Sequence, residues 1–117
     1  NLGGAYFIYL DKSLVSKSIE LLNKTPGVDL AMSAEDAVSR YNLRLERIGQ
    51  VIVTADKDTV FGDTDLVEMP DDLRSHGSEH EQLVPIIGYN MKDKSYTFTE
   101  NRHMGTYVID QLGLVST

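Results

Sequence analysis

Apolar residues recur at strand and helix spacing from Ala5 to Phe61, and there the pattern stops. The next stretch, GDTDLVEMPDDLRSHGSEHEQ (Gly62 to Gln82), is acidic, carries Pro70 and has little periodicity. An aperiodic segment this long inside a compact domain is usually functional, or leads to another body. It therefore divides the chain. The first part has enough patterned sequence to build its own sheet. The second opens on an apolar run, LVPII (Leu83 to Ile87), placed directly after two of the three histidines, His76 and His80.

The patterned part reads as alternating elements. AYFIYL (Ala5 to Leu10) is short, apolar and aromatic, as a buried strand would be. Ser13 is placed to cap a helix whose apolar face is Leu14, Val15, Ser18, Ile19 and Leu22, and Pro26-Gly27 closes it. VDLAM (Val28 to Met32) alternates as a second strand. Ser33 followed by Asp36 has the S-x-x-D form of a helix start, with Ala37, Val38 and Tyr41 on the apolar face. A third strand spans Gln50 to Thr54, Asp56-Lys57-Asp58 turns the chain, and Thr59 to Phe61 is expected to return as a short fourth strand. Beyond the acidic stretch, LVPIIGYN suggests a strand in which Pro85, unable to donate to a ladder, marks an edge position or the strand start. NMKDKS is hairpin-like and leads into YTFT. Thr99 is a cap for a last helix, Glu100 to Leu112, stopped by Gly113, and the final Val115-Ser116-Thr117 is expected to fray. The fold expected is α+β: a small, mainly antiparallel sheet with two helices on one face, then a long loop, a strand or hairpin and a C-terminal helix. The boundary falls near residue 62, giving regions 1–62 and 63–117.

Composition narrows the function classes. The 117 residues contain no cysteine, so neither a disulfide framework nor a cysteine zinc site is available. A net charge of −7, with basic residues scattered, disfavours nucleic acid as a partner. No apolar run approaches the roughly 20 residues of a membrane span, so no membrane partner is expected; the lack of cysteine allows a reducing compartment, and a cytoplasmic location is the expectation. The chain opens on Asn1 rather than Met, so a processed, excised or start-lacking piece is expected.

Several constellations carry possible chemistry. His76 is either a metal ligand, with Gly77 letting the loop turn and a ligand approach, or a surface histidine in a polar loop. His76 and His80 are four apart, but Gly77 and Ser78 lie between them, and a site would need Glu79, Glu81 or Asp72 as a third ligand. The acids of DKDTVFGDTDLVE lack the register of a calcium loop and read as turn acids. Ser75 beside His76 lacks a third catalytic member. Gly3-Gly4 matches no phosphate-binding motif, and His103 reads as a surface or boundary residue.

Taken as a string, LRSHGSEHEQLVPIIGYN (Leu73 to Asn90) resembles the C-terminal motif of phosphonoacetate hydrolases and the related type I phosphodiesterase–nucleotide pyrophosphatase members of the alkaline phosphatase superfamily. Leu73-Arg74-Ser75-His76-Gly77 matches in order, Ser78 stands at the usual second glycine, and Glu81-Gln82, Val84-Pro85 and Asn90 fit. Upstream, Ile8 to Gly62 is similar to the cap region of these enzymes, including the P-G-V after the first helix, the Ser-x-Glu helix start and R-I-G; Gln50 stands where an acid is common.

The resemblance implies a parent enzyme with two zinc ions on a large α/β core, acting on a small phosphonate or phosphate ester. His76 would be a zinc ligand, and the only one in this chain. The nucleophile and remaining ligands would belong to the rest of the polypeptide, the chain's principal partner. Residues 1–62 would be the cap domain and 63–117 the return to the core. The isolated chain is expected to be inactive, with the Leu83–Ile87 strand, deprived of its neighbours, pairing with the cap sheet or with another copy of the chain. Two alternatives remain open: a fragment of a nucleotide pyrophosphatase or phosphodiesterase, and a stand-alone, non-catalytic binding module.

Overall fold

The computed structural model describes residues 2–63, 65 and 67–113. The expected fraying of Val115-Ser116-Thr117 lies outside the described residues. Two compact units are present, Asn1–Gln82 and Leu83–Thr117.

The first unit is built on three strands: β1 (Ala5–Ile8), β2 (Val28–Ser33) and β3 (Val51–Ala55). They lie in the order β1-β3-β2, and both pairings are antiparallel. Two helices, α1 (Val15–Leu22) and α2 (Ala34–Tyr41), connect them. The α+β class with one small antiparallel sheet is as the sequence indicated.

All five residues of β3 are buried, so the strand is covered on both faces. Ile52 joins Met32, Ala34, Ala37 and Ile48 in the main apolar cluster, with Leu30, Val38, Tyr41 and Leu43 packed around it. Polar groups complete the edges. Asn23, just past α1, donates from Nδ2 to the Ala31 carbonyl at 2.9 Å and accepts from the Ala31 N–H at 2.8 Å. That occupies the free side of β2, where the backbone would otherwise need water.

Helix ends follow local chemistry. Ser33 caps α2, its Oγ accepting from Asp36 N at 3.1 Å, as expected from the S-x-x-D pattern. Ser13 is not the cap of the first helix. Asp11 takes that role for a 3-10 turn (Lys12–Leu14) that leads into α1, its carboxylate accepting from both Ser13 N and Ser13 Oγ. The carboxylate is an acceptor only, and its Oδ1 takes both donors, at 2.8 and 2.7 Å. The expected fourth strand contracts to a single bridge between Gly3 and Phe61.

In the second unit, α3 (Asn101–Leu112) ends at Gly113 in the left-handed conformation, φ 67°, as the glycine stop required. Thr99 does not cap it. The His103 ring Nδ1 instead accepts from the Thr99 N–H at 3.2 Å. Tyr96, Phe98 and Tyr107 form a small aromatic group with centroids 5.0–5.5 Å apart. No strand forms at Leu83–Ile87 or at Tyr96–Thr99 among the described residues. A strand needs a partner for its backbone, and Leu83 and Ile87 are 100% and 81% exposed.

Candidate metal-ligand loop

The His76 loop belongs to the first unit, and His76 itself is held there through its backbone. Gly3 and Gly4 run into β1. Gly3 exchanges both backbone hydrogen bonds with Phe61, at 2.9 and 2.7 Å, and the Gly4 carbonyl accepts from Ala55 N at 2.8 Å. The remaining donor, Gly4 N–H, reaches the carbonyl of His76 at 2.7 Å. The loop thus lies against the start of the sheet. A Cβ at position 4 would stand 2.6 Å from both Cβ and N of Ser78, so glycine is what permits this approach. Gly77 comes next after His76 with φ +96°, a conformation that disfavours any other residue.

Ser78 sits at φ −84°, ψ 173°, ordinary extended backbone, so a serine suits this position. It is buried and caps a 3-10 turn, Glu79–Glu81. Its Oγ accepts from His80 N at 3.1 Å. Glu81 Oε2 accepts from Ser78 N at 2.8 Å and from Ser78 Oγ at 2.7 Å, completing a capping box. These bonds hold the Glu81 carboxyl below its usual range, the Ser78 hydroxyl contributing most.

Glu79 makes the longest reach. Its Oε1 and Oε2 accept from Arg40 Nε and Nη2 at 2.7 and 2.9 Å, the paired geometry that makes arginine–carboxylate bonds strong. Tyr41 O–H donates to the same carboxylate. The Arg40 hydrogen bonds, then that of Tyr41, depress the Glu79 carboxyl to about 2. Burial, then the hydrogen bond to Glu79, pushes the Tyr41 phenol up, and the Arg40 guanidinium is held still more firmly protonated by Glu79. On the other side, His80 Nε2 lies 3.3 Å from Asp29 Oδ2. Asp29 is the residue skipped where the β2–β3 register shifts between Val28 and Leu30.

The side chains offered by the sequence as a two-histidine site are therefore committed elsewhere. His80 faces Asp29, Glu79 holds Arg40 and Tyr41, and Glu81 caps Ser78. Among the described residues no three of His, Cys, Asp and Glu converge on one point. His76 differs: its carbonyl anchors the loop, while its side chain makes no hydrogen bond or ion pair among the described residues. A catalytic zinc takes three protein ligands and keeps a position open. Among the described residues the donor set falls short of that, and the one uncommitted imidazole, His76, is what the chain could add to a site completed elsewhere.

The other sequence candidates take structural roles or none. Asp56 Oδ1 accepts from Asp58 N at 3.0 Å, which is turn chemistry. Ser75 Oγ is buried without a partner among the described residues and borders a cleft of about 820 Å³ that Lys57, Thr59 and Arg74 also line. The contacts of Arg40 and Tyr41 with Glu79 leave no local signal in the sequence, because that partner lies 39 and 38 residues away. The S-x-x-E capping box at Ser78–Glu81 was readable in the sequence and is the signal that orders this turn.

No family model matches the chain. Two solved structures of phosphonoacetate hydrolase from Sinorhizobium meliloti 1021 are similar to it. One is in complex with phosphonoacetate: 28% identity, TM-score 0.56, covering 68% of this chain and 20% of that one. The other holds phosphonoformate: 28% identity, TM-score 0.56, covering 67% and 20%. The resemblance read from the sequence is borne out: this chain is structurally related to phosphonoacetate hydrolase over about two thirds of its length, and it spans one fifth of the length of those structures. Among the described residues, no helix is long and apolar enough to cross a membrane.

Proposed function

We propose that the chain is the cap and C-terminal part of a zinc-dependent hydrolase that cleaves the C–P bond of a small phosphonate, with water, to phosphate and the dephosphonylated acid. The observation that carries this reading is the likeness to phosphonoacetate hydrolase, at 28% identity over 68% of the chain. Both neighbours hold small carboxylated phosphonates, which favours a phosphonate over a nucleotide phosphodiester as the substrate class.

In this reading residues 1–62 form the cap and 63–117 return to the catalytic core. A small α+β domain beside a metal site narrows access and selects substrate size. His76 is the one zinc ligand supplied by this chain. When bound, zinc polarises phosphoryl oxygens and activates a nucleophile. What this chain does is hold the His76 backbone against Gly4 and leave the imidazole available. The exposed apolar residues Leu83, Ile87 and Tyr89 suit a segment completed by the rest of the polypeptide. The isolated chain, with one ligand, has no hydrolase activity, and the intact enzyme works in the cytoplasm.

An antibody raised against this chain tests the reading by the mass of the species it detects in source cells. A species several-fold heavier than 13.1 kDa is expected. A native species of 13.1 kDa, or phosphonoacetate hydrolysis by the isolated chain, would refute it.

A further inference from the structure

The loop that presents His76 is tied to helix α2 by a contact that stabilising the turn alone does not call for. The capping box of Ser78 and Glu81 already orders residues 78–81 locally. Glu79, inside that turn, nevertheless spends its whole carboxylate on Arg40 and Tyr41, the last two residues of α2. The anchors around His76 then come from three directions: Gly4 N–H on its own carbonyl, α2 through Glu79, and the β2 bulge through Asp29 and His80. Among the described residues none uses the His76 ring. Residue 76 is held by its own backbone and by the capped turn at residues 78–81, and its side chain is left free for another task.

We propose that Glu79 is a positioning residue for His76, fixing the direction in which that imidazole is offered by fastening the turn behind it to α2. The proposal rests on the reading of His76 as a metal ligand. It adds that the cap helix and the ligand loop are one mechanical piece, so that displacement of α2 displaces the ligand. An exposed ion pair does little for stability. This one is bidentate, bridges 39 residues, keeps the Glu79 side chain 22% exposed and is joined by a tyrosine hydroxyl, which suits it to setting geometry.

The test compares Glu79→Ala and Glu79→Gln with the parent. Gln keeps the shape and an acceptor for Tyr41 and Arg40. In this chain, amide hydrogen exchange at Gly4 reports the bond to His76, and exchange at Ile52 and Val53 reports the sheet. The expected result for Glu79→Ala is Gly4 exchange about tenfold faster with Ile52 and Val53 unchanged, and substantial rescue by Gln. In the complete polypeptide, Zn²⁺ affinity should fall by about tenfold in Glu79→Ala, the lower end of what support residues behind a ligand contribute. Unchanged Gly4 exchange overturns the proposal. So does equal acceleration at Gly4 and in β3, which would make Glu79 a general stability residue. Zn²⁺ affinity unchanged in Glu79→Ala but lowered in His76→Ala overturns the positioning role and leaves the ligand reading intact. Affinity unchanged in His76→Ala removes the ligand reading itself, and the positioning role with it.

Discussion

The pair Gly3-Gly4 separates a required glycine from a dispensable one, and the difference comes from distances. An added Cβ at Gly4 would lie 2.6 Å from Cβ and N of Ser78 and 3.0 Å from its Cα. Favourable carbon contacts begin near 3.5 Å, so the Ser78 backbone must retreat by about 1 Å. Ser78 is buried in its capping box and cannot retreat without drawing the His76 carbonyl from Gly4 N–H. Overpacking of this kind costs about 1–3 kcal/mol, and the lost backbone bond adds about 0.5–1.5 kcal/mol. Alanine offsets about 0.4–1 kcal/mol through the unfolded chain. Gly4→Ala should therefore lose about 2 kcal/mol net, which for a unit of this size lowers Tm by about 8–16 °C. At Gly3 the added Cβ would meet only His76 O at 3.6 Å and His76 Cε1 at 3.9 Å, ordinary contacts. Gly3→Ala should be neutral, or stabilising by up to about 1 kcal/mol. Thermal melts followed by far-UV circular dichroism decide the matter. Equal losses in both variants, or no loss in Gly4→Ala, would refute the close approach of the loop to the sheet.

Glu79 gives a pH signature. Its carboxyl is lowered in the folded chain from the ordinary 4.5 to about 2, so its contribution is present above the unfolded value and lost as pH falls through the folded one. Urea midpoints should drop between about pH 5 and pH 2, and less steeply in Glu79→Gln; identical slopes would count against the Arg40 contact. Ile52→Ala empties the centre of the apolar cluster and should cost about 2–5 kcal/mol in urea unfolding, whereas a negligible change would mean that β3 is not the core strand. Asn23→Ala leaves the Ala31 N–H and carbonyl without their side-chain partner and should cost about 1–3 kcal/mol, with faster amide exchange at Ala31; unaltered exchange there would contradict the edge-sealing role.

What was legible in the sequence was what neighbours in sequence decide. Ser33 with Asp36 located the start of α2, Gly113 located the end of α3, and alternation located β2. The errors fell where the outcome depends on distant partners. Leu83–Ile87 has the composition of a strand, but a strand exists only with a neighbour to pair with, and Leu83 and Ile87 stand exposed. Thr59–Phe61 keeps one bridge, to Gly3, because the next residue, Gly4, gives its N–H to His76 and its carbonyl to Ala55. At the candidate site the His76-Gly77 motif was visible, whereas the hold on it was not. Gly4 and Arg40 are far from His76 in sequence, and only folding brings their contacts to the loop.

His76 is the zinc ligand that this chain is proposed to contribute to a phosphonate hydrolase, and the proposed function and the positioning role of Glu79 both depend on it. The direct measurement is phosphate release from phosphonoacetate by the complete polypeptide, wild type and His76→Ala, after zinc removal and after zinc is restored. The account predicts zinc-dependent release by the wild type and a loss of at least about 100-fold in His76→Ala, as expected when a ligand of a catalytic metal is removed. Hydrolysis by His76→Ala at the wild-type rate, or no zinc-dependent hydrolysis of phosphonoacetate by the wild type, would contradict it.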